Sequence, residues 1–165
     1  DLAMKFNNLY GEVFHLPNPL INDRVASIPG IDGQKMSKSY NNVIGIFESD
    51  KILEKKIKKI ITDSKNIEDK KDPESCNIFS LYKLFSNADE QRELAENYYA
   101  GGMGYGHAKN SLLQKINQYF EPIREKRLEL EVENDYIEDI LKNGAEKASL
   151  IANDVLKNVK TAVGL

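Results

Sequence analysis

The sequence predicts a mainly α-helical chain, in which the tail of an α/β domain runs into a helical domain. Three observations predict it. After residue 48, apolar residues recur at three- to four-residue spacing almost to the end. Before residue 48 the apolar runs are short and end at prolines. Between the two lies "GIDGQKMSKSYNN", residues 30 to 42, a Gly- and Asn-rich stretch carrying Lys35 and Lys38 that suits neither helix nor strand.

Taken in order, "DLAMKFNNLYG" reads as a helix already under way. Leu2, Phe6 and Leu9 form its stripe, and Gly11 ends it as a left-handed cap. "EVFHLP" and "RVASIP" are two short strands or extended pieces closed by Pro17 and Pro29. Pro29-Gly30 and Asp32-Gly33 are turn signals. "VIGIF" (43 to 47) is one more short extended segment.

The helices follow. "SDKILEKKIKKII" has Ser49 or Asp50 as its N-cap, an apolar stripe of Ile52, Leu53, Ile57, Ile60 and Ile61, and lysines opposite. "TDSKNIEDKKDPES" is a polar loop, and "CNIFSLYKLFS" a buried helix. Asn87 with Glu90 three residues later has the form of a capping box. "AGGMGYGHAK" then turns tightly, letting Tyr105 pack inward, before a long helix from about His107 to Leu130, bent at Pro122. Asn134 caps a short helix stopping at Gly144. A final helix carries Ala148, Ile151, Ala152, Val155, Val159 and Val163 on one face.

Composition limits what such a chain can do. At 165 residues, 41% apolar and 30% charged, it suits one core and one to one and a half domains. No apolar run approaches the ~20 residues that span a bilayer, and no basic-apolar leader is visible, so a membrane role is not expected. The absent initiating Met and the helix already under way at residue 1 suggest a piece of a longer protein. Cys76 is the one cysteine, which excludes an internal disulfide and fits a reducing cytoplasm. His15 and His107 lie far apart, and no metal site is expected.

Charge is uneven. Residues 35 to 71 hold ten Lys and six Asp/Glu, a net of +4. Residues 72 to 141 hold seven Lys/Arg and fourteen Asp/Glu, a net of −7. The basic zone contains "GQKMSKS". Read physically, that stretch is a mobile phosphate clamp. Glycines free the backbone, Lys35 and Lys38 sit one turn apart, and Ser37 and Ser39 add uncharged donors. A triphosphate that loses pyrophosphate needs such donors most in its transition state. The plain alternative is a solvated basic loop.

The identity of the five residues weighs against that alternative. Lys35-Met36-Ser37-Lys38-Ser39, entered from a Pro-Gly turn, resembles the second motif of class I aminoacyl-tRNA synthetases. Nearly the whole chain resembles the C-terminal half of the bacterial tryptophanyl-tRNA synthetases, through "LPNPLI", "KMSKSYNN", "KKIKKIITDS", "YYAGGMGYGHAK" and "NGAEKASLIANDVL". The resemblance implies that residues 1 to 47 complete a Rossmann-type catalytic domain and residues 48 to 165 form an anticodon-binding domain. It implies activation of tryptophan by ATP with Mg2+ and transfer to tRNA(Trp), in a cytoplasmic homodimer.

It also implies site residues. Lys35, Ser37 and Lys38 are the candidate catalytic residues, Lys38 nearest the leaving pyrophosphate. Val25, Met36 and Ser39 complete the ATP-binding set, with the Val25 backbone at adenine. Lys109, Lys115, Arg124 and Arg127 are candidates for tRNA. The family's first ATP motif, His-Ile-Gly-His or similar, and its tryptophan pocket are absent, so the chain alone is expected to be inactive. The competing reading is a stand-alone helical tRNA-binding or interaction module derived from a synthetase.

Overall fold

A computed structural model of the chain describes residues 1–22 and 25–165. It is mainly helical: α1 Leu2–Tyr10, α2 Asp50–Lys58, α3 Asn77–Tyr82, α4 Ala88–Ala100, α5 Tyr105–Leu130 and α6 Asn134–Val163. No helix among the described residues is long and apolar enough to cross a membrane.

Neither strands nor unbroken extended pieces form among the described residues before residue 48: Val25 is in a 3-10 turn, the chain bends at Ala26 and Ser27, and "VIGIF" turns at Ile46 and Phe47. Among the described residues there is no strand, and one isolated antiparallel bridge joins Pro29 to Lys35. A strand needs a continuous ladder, and prolines at 17 and 29 withdraw N–H donors from it. Arg24, the first residue of "RVASIP", lies outside the described residues.

The chain divides into two compact units, residues 1–20 with 127–165, and residues 21–126. The second contains the large core. Leu53 and Ile57 of α2, Ile78, Phe79, Leu81 and Tyr82 of α3, Leu94 and Tyr98 of α4, and Ala108, Leu112 and Ile116 of α5 are buried together. Each large apolar side chain so buried contributes about 1.5–3 kcal/mol. At six residues α3 is too short to persist alone, and four of its six side chains are buried. Ile28, Ile31 and Ile44 also pack against this core, which therefore draws on both sides of residue 48.

In α2 the sequence periodicity holds with one narrowing, whereas the stripes expected in α1 and α6 bury no residue. The α2 stripe buries Leu53, Ile57 and the following Ile60, while Ile52 and Ile61 stay half exposed. Ile52 is turned about 100° from Leu53 around the helix and misses the core. The Asn87 capping box is present in full, with Asn87 Oδ1 accepting from Asp89 and Glu90 N–H and Glu90 Oε2 accepting from Asn87 N–H. Gly101 ends α4 at φ +79, and a Cβ there would lie 2.5 Å from the Glu68 carbonyl oxygen. Only glycine satisfies both conditions.

Lys71 lies in the polar loop yet is 2% exposed. Its Nζ donates to the carbonyls of Asn66, Ile67 and Asp69 at 2.8, 3.1 and 2.9 Å and sits 5.4 Å from the Tyr105 ring centroid. Three carbonyls and a ring face replace its water.

In the first unit α1 ends at Gly11 with its N–H on the Asn7 carbonyl, but at φ 90 and ψ 173 rather than in the left-handed helical cap expected. Asn7 then folds the chain back, Nδ2 donating to Phe14 O and Oδ1 accepting from Phe14 N–H. The expected helix stop at Gly144 is not observed. α6 runs unbroken from Asn134 to Val163, and Asn134 is its first helical residue rather than its cap. A lone glycine costs a helix only about 1 kcal/mol, which the helix formers around it offset. Pro122 likewise lies inside α5.

Candidate functional site

The lysine loop begins as a tight hairpin. Gly30 N–H donates to Gln34 O at 2.7 Å and Met36 N–H to Ile28 O at 2.8 Å. Gly33 at φ +78 makes the turn, and Asp32 Oδ1 accepts from Gln34 N–H. Lys35 and Met36 thus lie on the returning arm beside Pro29 and Ile28. The chain then enters a single 3-10 turn, Lys38–Tyr40, with Ser37 as its cap: Ser37 Oγ accepts from Ser39 N–H. Asn41, at φ 53, closes it. The C-terminal end of α2 anchors the whole through Ile61 N–H on Ile31 O, while Lys56 Nζ donates to Val43 O and pairs with Glu48.

At the centre is Asn42, 1% exposed. Its Oδ1 accepts from Ser37 N–H at 2.7 Å. Its Nδ2 donates to Asp32 Oδ1 at 2.8 Å and to Lys35 O at 3.2 Å. A Cβ on Gly30 would come within 2.5 Å of this amide.

Around that buried amide the predicted residues diverge in direction. Lys35, Lys38 and Ser39 are exposed, and neither ammonium group has a hydrogen bond or ion pair among the described residues. Met36 points the other way, into an apolar cavity of about 200 Å³ shared with Ile44, Leu81, Phe85, Ile116 and Phe120. Val25 is half exposed and lines a separate open cleft of about 640 Å³ with Ser27, Pro29, Lys83 and Gln91. Among the described residues no group of three or more His, Cys, Asp or Glu could hold a metal ion.

The helical cations are engaged within the protein. Lys109 Nζ donates to Lys58 O and Ile60 O, closing the C-terminus of α2 at 2.8 and 2.7 Å. Burial pulls the Lys109 ammonium below the usual lysine range. Lys115 pairs with Glu90, and that hydrogen bond holds the carboxyl below its ordinary value. Arg124 Nε donates to Ile46 O at 2.8 Å and Nη1 to Asn117 Oδ1 at 2.9 Å. Arg127, half exposed, pairs with Glu131 one turn on.

Sequence reasoning passed over Asn42, Asp32 and the close approach at Gly30. The signal available was an Asn within a few residues of a hydroxyl-rich motif, a pattern that reads equally well as an ordinary turn.

Residues 1–121 match the family model for tRNA synthetases class I (W and Y). The chain belongs to this family. Its whole length is 51% identical to the tryptophan--tRNA ligase of Fusobacterium nucleatum, covering 51% of that protein. It is 47% identical to the tryptophan--tRNA ligase of Campylobacter jejuni, covering 52% of it. The chain therefore spans about half the length of the curated relatives it matches. The structure superposes on tryptophanyl-tRNA synthetase from C. jejuni complexed with ADP and tryptophan with a TM-score of 0.83 at 46% identity, covering 99% of this chain and 51% of that one.

Proposed function

We propose that the chain is the C-terminal portion of a tryptophan--tRNA ligase and supplies its second ATP-phosphate contact. The observation that carries this is the pair of exposed, unpaired ammonium groups of Lys35 and Lys38 on a loop fixed by hydrogen bonds around Asn42. In the proposed reaction the tryptophan carboxylate attacks the α-phosphorus of ATP, supplied with its Mg2+. The bond to the bridging oxygen breaks, and pyrophosphate leaves with the electron pair. Lys35, Ser37 and Lys38 meet the charge that builds on the leaving group, with Lys38 nearest it, while Met36, the Ser39 hydroxyl and the Val25 main chain bound the nucleotide. Tryptophanyl-adenylate then transfers its aminoacyl group to tRNA(Trp).

On this reading residues 1–47 complete a catalytic domain whose first ATP motif and tryptophan pocket lie outside these 165 residues. Residues 48–165 carry the anticodon surface, and the working enzyme is a cytoplasmic homodimer. Lys109, Lys115, Arg124 and Arg127 are the candidate RNA contacts of that surface, each also engaged within the protein.

The test uses a full-length protein containing this chain, assayed by tryptophan-dependent pyrophosphate exchange. Lys38→Ala lowers kcat by about 100-fold and leaves the KM for tryptophan unchanged. A wild-type protein without exchange activity, or a variant altered only in its tryptophan KM, overturns the proposal.

A further inference from the structure

We infer that Asn42 is the positioning residue of the lysine loop: its buried amide fixes the loop conformation and keeps the Asp32 carboxylate away from Lys35 and Lys38. The inference rests on the phosphate-binding role proposed above and names a residue beyond the lysine motif itself.

Asn42 connects the loop. One side chain holds Ser37 N–H, Lys35 C=O and the Asp32 carboxylate, and the Asn42 carbonyl accepts from Ile31 N–H at 3.1 Å. Its contacts therefore run from the start of the turn to the middle of the motif. Both amide hydrogens and the amide oxygen are used, in a site closed to water.

The position is specific for this amide. Alanine would leave the Ser37 N–H and Lys35 carbonyl unpartnered. Aspartate would offer acceptors where two donors are needed and face the Asp32 carboxylate directly. Glutamine is one methylene longer, and the space beside the amide is already filled to where a Gly30 Cβ would stand.

Asn42 also acts on the charge of the loop. Asp32 is the only acidic residue in 30–42. Its Oδ1 is occupied by Asn42 Nδ2 and Gln34 N–H. An uncharged amide thus holds one oxygen of the one carboxylate able to pair with the motif from within, and both ammonium groups are left for an anionic ligand. Without Asn42, Asp32 competes with phosphate for the lysines.

The experiment compares Asn42→Ala, Asn42→Asp and the reversed pair Asp32→Asn with Asn42→Asp in the full-length protein. It reads kcat and the KM values for ATP and tryptophan. In parallel, hydrogen exchange of the 30–42 peptide is followed in the 165-residue chain. Asn42→Ala lowers kcat/KM for ATP by about 10- to 100-fold, leaves the tryptophan KM within about twofold, and speeds exchange of the loop. Asn42→Asp is as poor at neutral pH and recovers towards about pH 5, where one proton bridges the two carboxylates. The reversed pair rebuilds a donor–acceptor contact between positions 32 and 42 and regains at least about tenfold over Asn42→Asp. If Asn42→Ala fails to fold, the comparison of the reversed pair with Asn42→Asp decides.

A parallel rise in the tryptophan KM, or a reversed pair no better than the single variant, overturns the inference. So does unchanged exchange of the loop in Asn42→Ala. An inactive wild type whose loop protection still depends on Asn42 overturns the ligase proposal and leaves the structural role of Asn42 standing.

Discussion

Tyr105 Oη donates a 2.7 Å hydrogen bond to Asp63 Oδ1, joining the segment just after α2 to the first turn of α5 across 42 positions of sequence. That bond, more than any other cause, draws the Asp63 carboxyl below the usual carboxylate range, while burial and the same bond raise the Tyr105 hydroxyl. Because the folded value of Asp63 is depressed, its stabilising contribution is present above the unfolded carboxylate pKa of about 3.9 and is lost as pH falls through the folded value. Tyr105→Phe is therefore expected to lower stability by about 0.5 kcal/mol at pH 7, the low end for a hydrogen bond because Asp63 is exposed. The deficit disappears at about pH 2. Urea midpoints of both proteins at the two pH values check it, and a deficit independent of pH refutes it.

Lys71 gives a larger effect without a charged partner. Lys71→Met keeps the volume and removes a buried ammonium from three loop carbonyls, so the expected loss is about 2 kcal/mol. Chemical denaturation measures it. A variant within about 0.5 kcal/mol of wild type would mean that water reaches those carbonyls at once.

Gly144 predicts a change of the opposite sign. It lies within α6, and a Cβ there would meet nothing within 4 Å. Gly144→Ala should raise helix stability by about 1 kcal/mol, seen as a higher Tm followed by circular dichroism at the helical band. A lower Tm would show that the glycine is needed for close packing.

These cases also mark what was legible in the sequence. Asn87, Glu90 and Gly11 announce helix ends because caps act over three or four residues, within reach of a local pattern. Leu53 and Ile57 announce their face for the same reason. The five-residue lysine motif is legible by the identity of its residues. Asn42 is not, because its role exists only after Gly33 has turned the chain and brought residues 32, 35 and 37 around it. Lys71 reads as a solvated lysine in a polar run, and its burial depends on a ring that lies 34 positions away at Tyr105. Lys109, Lys115 and Arg124 look free for RNA in sequence, yet each has a partner 25 to 78 positions away. The stop expected at Gly144 overweighted one residue against the cooperativity of a 30-residue helix.

Cys76, 8% exposed with its Sγ 3.4 Å from the Tyr98 hydroxyl, has a practical consequence. The chain carries its own clock. A thiol reagent added to the native protein can modify this single site only when the core around α3 and α4 opens, so the labelling rate reports the frequency of that opening. The same shielding lets a second, exposed thiol be tagged first. A Ser39→Cys dye would then follow the lysine loop by fluorescence with the native cysteine left in place.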